Sequence, residues 1–457
     1  MAIATADTAD LTKIDQAHLI HPLYHPAEHE TPKIWVKGNG AIMTDVEGRE
    51  YIDGMGGLWN VNAGHGRSEL AKAAEAQMSA LAYCSSYTGS SNIPAIELAK
   101  RMSELAYPSL NKAYFTSGGA ESNESAFKTA RFYWRAKGKP DKYKVISRYL
   151  GYHGVTMAAM SATGIPIYWK MFEPRTPGFM HIDPPFPYRF KGAKEGETIG
   201  QAAARLLEEA FQAEGPETVA AFIAEPVQGA GGVIVPPDDY FPKIREICNK
   251  YEVLFIADEV ITGFGRIGKM FALTHWNVEP DILVFAKGIT SGYLPLGGIM
   301  ISDKIREVMD NVPIENRWMH AYTYSGHPTC CAVALKNLEI IENEGLVGRA
   351  AEGGRRLLEG LNTLYDLEAV GDVRGLGMMA AVELVSNRET RESYDAADKV
   401  GDRVRLEMMK RGLFTRTRGE IIPLAPPLVT TDEQIDKIVE IVGSSIEAVL
   451  PEKAQVK

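Results

Sequence analysis

Val253-Leu254-Phe255-Ile256-Ala257-Asp258-Glu259, matched further along by Asp281-Ile282-Leu283-Val284-Phe285-Ala286-Lys287, carries the reading of the fold. In both stretches apolar residues follow one another without alternation and then give way to charge. A strand with one wet face would alternate; a short unbroken apolar run suits a strand covered by helices on both faces. Lys144-Val145-Ile146-Ser147 and Val219-Ala220-Ala221-Phe222-Ile223-Ala224 repeat the pattern, and helix-length segments separate the runs from about residue 112 to residue 323. A mostly parallel α/β sheet is therefore the expected core.

Outward from that core the text changes. Residues 35–45 and 50–53 read as strands of a small N-terminal sheet divided by a Gly-bearing turn, with helices near 69–81 and 93–105. Beyond Pro328 the pattern becomes α+β, with amphipathic helices expected around 346–364, 393–410 and 432–449; in the last, Ile435, Ile438, Val439, Val442 and Ile446 share a face. No internal repeat or low-complexity tract interrupts the chain.

A chain of 457 residues can bury one large core and a smaller one. It is 45% hydrophobic and 24% charged with a net charge of -10, and no basic stripe is visible. A nucleic-acid partner is not expected, because a phosphate backbone selects such stripes. Neither a secretory leader nor a membrane span is legible, so a cytoplasmic location is expected. The four cysteines, Cys84, Cys248, Cys330 and Cys331, lack CxxC spacing and read as reduced residues in or near the core.

Polar residues just past the carboxyl ends of parallel strands line the ligand crevice of open α/β sheets. Here those residues are Glu225, Asp258 with Glu259, Lys287, and Tyr152-His153-Gly154 a little beyond Ser147. Singly, each has a plainer reading as a surface or capping group. Jointly they answer the demands of pyridoxal phosphate. That cofactor needs an amine to hold its aldehyde as an imine, an anion against its pyridine nitrogen, slabs on both ring faces, and a donor cluster for its phosphate. Lys287 could supply the amine, Asp258 the anion, and Tyr152 and Val260 the slabs. Thr116-Ser117-Gly118-Gly119-Ala120 follows a strand-like run and leads into a helical segment over 121–136. Small, flexible residues at a helix start let backbone N–H groups converge on an anion, although Ser-Gly-Gly there is also simply a cap.

Seven segments, in this order, resemble the class III, or omega, aminotransferases, which are fold type I pyridoxal-phosphate enzymes. They are Asp53-Gly54-Met55-Gly56-Gly57-Leu58-Trp59, Ser117-Gly118-Gly119-Ala120-Glu121, Gly151-Tyr152-His153-Gly154, Ala224-Glu225-Pro226-Val227-Gln228-Gly229, the run from Asp258-Glu259-Val260 to Gly265-Arg266, Ala286-Lys287-Gly288, and Tyr322-Thr323-Tyr324-Ser325-Gly326-His327-Pro328. The resemblance spans about residues 38–449. It implies a large domain with a mostly parallel seven-stranded sheet over 61–328. A small α+β domain would be built from an N-terminal segment, 1–60, and a C-terminal part, 329–457.

By the same resemblance Lys287 would be the Schiff-base lysine and proton shuttle, and Asp258 the partner of the pyridine nitrogen. Tyr152 and Val260 would sandwich the ring, with His153 in the cofactor neighbourhood. Ser117, Gly118 and Gly119 would bind the phosphate, joined by Thr323 from the other subunit of a homodimer with composite sites; a tetramer is also open. Glu225 would sit near the cofactor's hydroxyl side, able to pair with an arginine. Trp59 and Tyr152 would face the substrate, and Arg416 would be the mobile arginine that meets a substrate carboxylate, with Arg418 the competing choice. Gly119 departs from the family pattern, standing where many members carry a hydroxyl.

The activity implied is transfer of an amino group from an omega-amino acid or primary amine to a keto acid by a ping-pong mechanism. Pyruvate is the preferred acceptor because Gly57-Leu58-Trp59 and Arg416 resemble the pyruvate-using branch. Alternatives are a glutamate/2-oxoglutarate-using member, a class III enzyme that decarboxylates or moves an amino group within one molecule, and an inactive binding protein on the same fold. Beta-alanine, gamma-aminobutyrate, taurine, putrescine and aryl amines are all candidate donors. His21, His25 and His29 recur at helical spacing, but Pro22 and Pro26 break any helix there, so a polar arm is expected rather than a metal site. Gly38-Asn39-Gly40 and Gly263-Phe264-Gly265 read as turns and not as a dinucleotide fingerprint.

Overall fold

The computed structural model describes residues 8–87 and 89–450. The first seven and last seven residues of the expected N- and C-terminal segments lie outside the described residues.

Strands β1 (Trp35–Asn39), β2 (Ile42–Asp45) and β3 (Glu50–Asp53) form an antiparallel meander near the N-terminus. The expected 35–45 strand is two strands, because Gly40 takes a left-handed φ of 56° and reverses the chain. The central strands are β4 (Leu110–Thr116), β5 (Lys144–Arg148), β6 (Phe179–Ile182), β7 (Val219–Ala224), β8 (Leu254–Asp258), β9 (Ile282–Phe285) and β10 (Gly297–Ser302). They make one seven-stranded sheet in the order β4-β10-β9-β8-β7-β5-β6. Its five strands from β9 to β6 are mutually parallel, while β10 runs antiparallel to both neighbours.

The unbroken apolarity of β7, β8 and β9 now has its cause. Phe222, Ala224, Phe255, Ala257, Leu283 and Phe285 point into the core on one face of the sheet. Ala221, Ile223, Leu254, Ile256, Ile282 and Val284 point into the core on the other. Alternate residues go to opposite faces and both faces are dry, so no position is left for a polar side chain until the strand ends.

A third sheet of β11 (Val370–Leu376), β12 (Met379–Leu384) and β14 (Ile421–Leu424) belongs to the C-terminal part. Strand β13 (Leu413–Phe414) instead lies parallel to β3, with Phe414 opposite Asp53. This pairing brings residues from both ends of the chain into one sheet.

One helix is shorter than expected. The 393–410 helix begins only at Val400, because Asp395 caps a separate short turn over Ala396–Asp398 and Lys399 turns left-handed at φ 46°. The strand expected to end at Ala257 includes Asp258, and the helix expected from residue 121 starts at Gly119.

Pro22 and Pro26 do interrupt the N-terminal arm. A helix over Thr8–His18 gives way to a turn and then to Pro26–Glu28; the His21 ring stacks on His29 at 4.3 Å and reaches Asp15 at 2.8 Å. Among the described residues no group of three or more His, Cys, Asp or Glu could hold a metal ion, and no helix is long and apolar enough to cross a membrane. All four cysteines are free; Cys248, Cys330 and Cys331 are buried and Cys84 is partly exposed.

Candidate active site

Strands β7, β8 and β9 end at the same edge of the sheet, which sets Glu225, Asp258 and Lys287 side by side. Lys287 opens a short 3₁₀ turn over Lys287–Thr290 with a left-handed φ of 49°, a conformation unfavourable for a side chain of its size. The turn is held there by Asn337, whose Nδ2 donates to the carbonyls of Gly288 at 2.9 Å and Ile289 at 3.0 Å. Gly288 is required at its position, since a Cβ would stand 2.6 Å from the Asn62 side chain.

Asp258 is buried and carries three hydrogen bonds. Its Oδ2 meets His153 Nδ1 at 2.7 Å and Asn123 Nδ2 at 2.8 Å, and its Oδ1 accepts from the Val260 backbone N–H at 3.1 Å. His153 is fixed in turn by its backbone N–H, which donates to Thr163 Oγ1 at 2.8 Å. Glu225 is also buried, and burial raises its carboxyl pKa. Among the described residues no arginine pairs with its carboxylate. Its oxygens accept from the backbone N–H groups of Tyr152 at 2.9 Å and Gly229 at 3.0 Å, while the one guanidinium bonded to Glu225, that of Arg148, donates to its backbone carbonyl.

These groups surround a cavity of about 180 Å³. Gly119, Tyr152, His153, Glu225, Asp258, Val260 and Lys287 line it. Burial pulls the Lys287 ammonium down to about 8, against the opposing attraction of Asp258 and Glu225. Gly119 lies against Val260, and a Cβ there would come within 2.9 Å of Val260 Cγ1, so the departure from a hydroxyl residue at this position matches a close approach of the branched side chain.

Other expected residues lie outside the cavity lining. The Ser117 N–H is taken by Glu121 Oε2 at 2.8 Å, and Gly118 is the N-cap of the Gly119–Ala136 helix without a side-chain capping bond. Trp59 is buried in the main core with φ 64°, Thr323 is exposed with its carbonyl accepting from Tyr83 Oη at 2.9 Å, and Arg416 is exposed. Arg418 is partly buried and donates to the Gly231 carbonyl at 3.3 Å.

Gly154 and Ala120, from the stretches quoted for the crevice and the cradle, also line the cavity, as do Asn123, Val155 and Ile261, of which no role was expected. Asn123 was readable in principle, standing four residues beyond Gly119 and hence on the same face of the helix. A buried amine, a carboxylate, an aromatic and a branched wall, and an uncapped helix start thus converge on one space. That donor set fits pyridoxal phosphate.

The model of the aminotransferase class-III family matches residues 23–446. The chain belongs to this family. It is a pyridoxal-phosphate-dependent omega-transaminase. Among its relatives, the putrescine–pyruvate aminotransferase of Pseudomonas aeruginosa is 41% identical over 441 residues, 96% of each chain. The diaminobutyrate–2-oxoglutarate transaminase of Halomonas elongata is 42% identical over 88% of this chain and 87% of its own. A thermostable (S)-enantioselective omega-transaminase from Thermomicrobium roseum superposes with a TM-score of 0.93 at 46% identity, covering 97% of this chain and 99% of that one.

Only the unprotonated amine of Lys287 can attack an aldehyde. The rate at which this transaminase, stripped of cofactor, captures pyridoxal phosphate should therefore rise about tenfold per pH unit below pH 8 and level off above it. Stopped-flow absorbance measures this, and a rate that keeps climbing to the ordinary lysine range near pH 10 contradicts the depressed value.

Proposed function

We propose that this transaminase takes the amino group of a primary amine or omega-amino acid and delivers it to a keto acid, with pyruvate the preferred acceptor and alanine the product. The observation that carries the reading is the meeting of Lys287 and Asp258 in one small cavity walled by Tyr152 and Val260. When bound, pyridoxal phosphate supplies an aldehyde that links reversibly to amines and a ring that takes up an electron pair. Lys287 Nζ would hold that group, and its amine would serve as the base that moves the proton of the substrate carbon. Burial favours this work by leaving a share of its amine unprotonated near neutral pH.

Asp258 would pair with the ring nitrogen and keep a proton there. Tyr152 and Val260 would hold the two ring faces, with Glu225 on the hydroxyl side. Gly118 and Gly119, at the start of the Gly119–Ala136 helix, would offer N–H groups to the phosphate and Ser117 its hydroxyl, its own N–H being taken by Glu121. Thr323 of a neighbouring subunit completes that cradle in a homodimer. Its exposure, together with that of Tyr87, Ile93, Met319 and Tyr324, supports a covering surface at this place. The division of the chain at residues 60 and 328 draws support from the β3–β13 pairing, which joins its two outer parts in one sheet.

Arg416 receives the substrate carboxylate, and Trp59 backs the apolar part of the substrate. Between the two candidate arginines, Arg416 is favoured because it makes no hydrogen bond or ion pair among the described residues, whereas Arg418 is tied to Gly231 and burial lowers its pKa. A guanidinium free to swing lets one pocket serve a keto acid and an uncharged alkyl amine without stranding a charge. The relative from Pseudomonas aeruginosa, named for putrescine and pyruvate, supports pyruvate and a diamine donor. The relative from Halomonas elongata, named for 2-oxoglutarate, supports the second reading of the acceptor.

A donor panel of putrescine, beta-alanine, gamma-aminobutyrate, taurine and an aryl amine, run against pyruvate and 2-oxoglutarate with cofactor absorbance followed in each half-reaction, separates these readings. Pyruvate should give the larger kcat/KM with every accepted donor; a preference for 2-oxoglutarate reverses the assignment. Replacing the mobile arginine, R416A, should raise KM for the keto acid by about tenfold to a hundredfold, the cost of one charge-assisted carboxylate contact, and leave the half-reaction with putrescine nearly unchanged. If R418A rather than R416A has this effect, the roles of the two arginines exchange.

A further inference from the structure

Asn123 sits one turn into the Gly119–Ala136 helix, 1% exposed, on the wall of the cavity. Its Nδ2 donates to Asp258 Oδ2 at 2.8 Å and to the His153 backbone carbonyl at 2.8 Å. Both neighbours are acceptors, so chemistry fixes which way the amide faces: the reverse orientation would set Oδ1 against a carboxylate and a carbonyl. Oδ1 itself is buried and has no partner among the described residues. Leaving an amide oxygen unsatisfied in the interior is costly, so packing alone does not account for a polar residue at this position.

We propose that Asn123 is a positioning residue for Asp258, fixing the carboxylate that faces the cofactor's ring nitrogen. The proposal rests on the assignment of Asp258 made above. Three donors reach that carboxylate from three different segments: Asn123 from the helix, His153 from the loop after β5, and the Val260 N–H from the chain leaving β8. Without Asn123 a single bond would hold each oxygen, the Val260 N–H on Oδ1 and His153 on Oδ2. Asn123 adds a second bond to the same oxygen and, through the His153 carbonyl, ties helix and loop together around it. With the carboxylate immobilised, its remaining acceptor capacity stays directed at the cavity, which is what holding a proton on a ring nitrogen there requires.

The test compares the wild-type holoenzyme with N123A, N123D and D258N, each loaded with pyridoxal phosphate. N123D keeps the shape and exchanges the donor for an acceptor, so it also serves where the alanine variant does not fold. Three quantities are read: the pH midpoint of the cofactor's visible absorption band, the dissociation constant for pyridoxal phosphate, and the single-turnover rate with amine alone. N123A should move the midpoint by about half a pH unit or more, weaken cofactor binding several-fold and slow the half-reaction about tenfold, with N123D shifted further in the same direction. If both Asn123 variants keep the wild-type midpoint and rates within about twofold while D258N shifts them, Asn123 is merely structural and the proposal is overturned. If D258N also leaves the midpoint unmoved, the assignment of Asp258 fails first.

Discussion

The buried carboxylate of Asp258 is the constraint on which the site depends. An unpartnered carboxylate at the end of a strand with two dry faces would be untenable, and a hydrogen bond to a charged group contributes about 1.5–3 kcal/mol. Three such bonds converge on Asp258, and each comes from a segment that also lines the cavity. The requirement to satisfy one charge thus dictates where the helix start, the Tyr152-His153 loop and the Val260 wall must lie. Glu225 follows the same rule one strand away, taking two backbone N–H groups from the loops on either side of it.

Lys287 is the opposite case, a charge left short of partners. Its left-handed backbone costs about 1–2 kcal/mol for a residue with a Cβ, and burial costs its ammonium form more. The surrounding structure meets the backbone cost, since Asn337 pins the turn that follows the fully buried strand β9. An amine of which a share is unprotonated near neutral pH results from that arrangement. Glu259, next to Asp258 in sequence, shows how differently a neighbouring carboxyl can be used. It turns away from the cavity, accepts from Tyr107, Thr262 and the Ala272 N–H, and is pushed up to about 7 by burial, so it anchors the 271–273 segment.

The central sheet was legible because burial on both faces leaves a direct mark, a run of apolar residues ended by charge. Lys287, Asp258 and Glu225 were legible for the same reason, as the first polar residues after those runs, and Tyr152 and His153 as polar residues a few positions beyond theirs. Partners supplied by the backbone were not. Nothing in the residue types says that Glu225 would be satisfied by the N–H groups of Tyr152 and Gly229 rather than by an arginine. The late start of the Val400–Lys410 helix was hidden likewise, since it turns on a left-handed lysine, a residue type that gives no warning of that conformation. Asn123 lay between the two: its spacing from Gly119 was readable, but the acceptor it serves comes from a strand 135 residues away.

The account stands on Lys287 as the amine that holds the cofactor. Borohydride reduction of the loaded enzyme, followed by proteolysis and mass spectrometry, tests this directly. The account predicts one stoichiometric phosphopyridoxyl adduct per chain, on Lys287, absent from K287A. A stable adduct on another lysine, or none on a protein that has bound the cofactor, would contradict it.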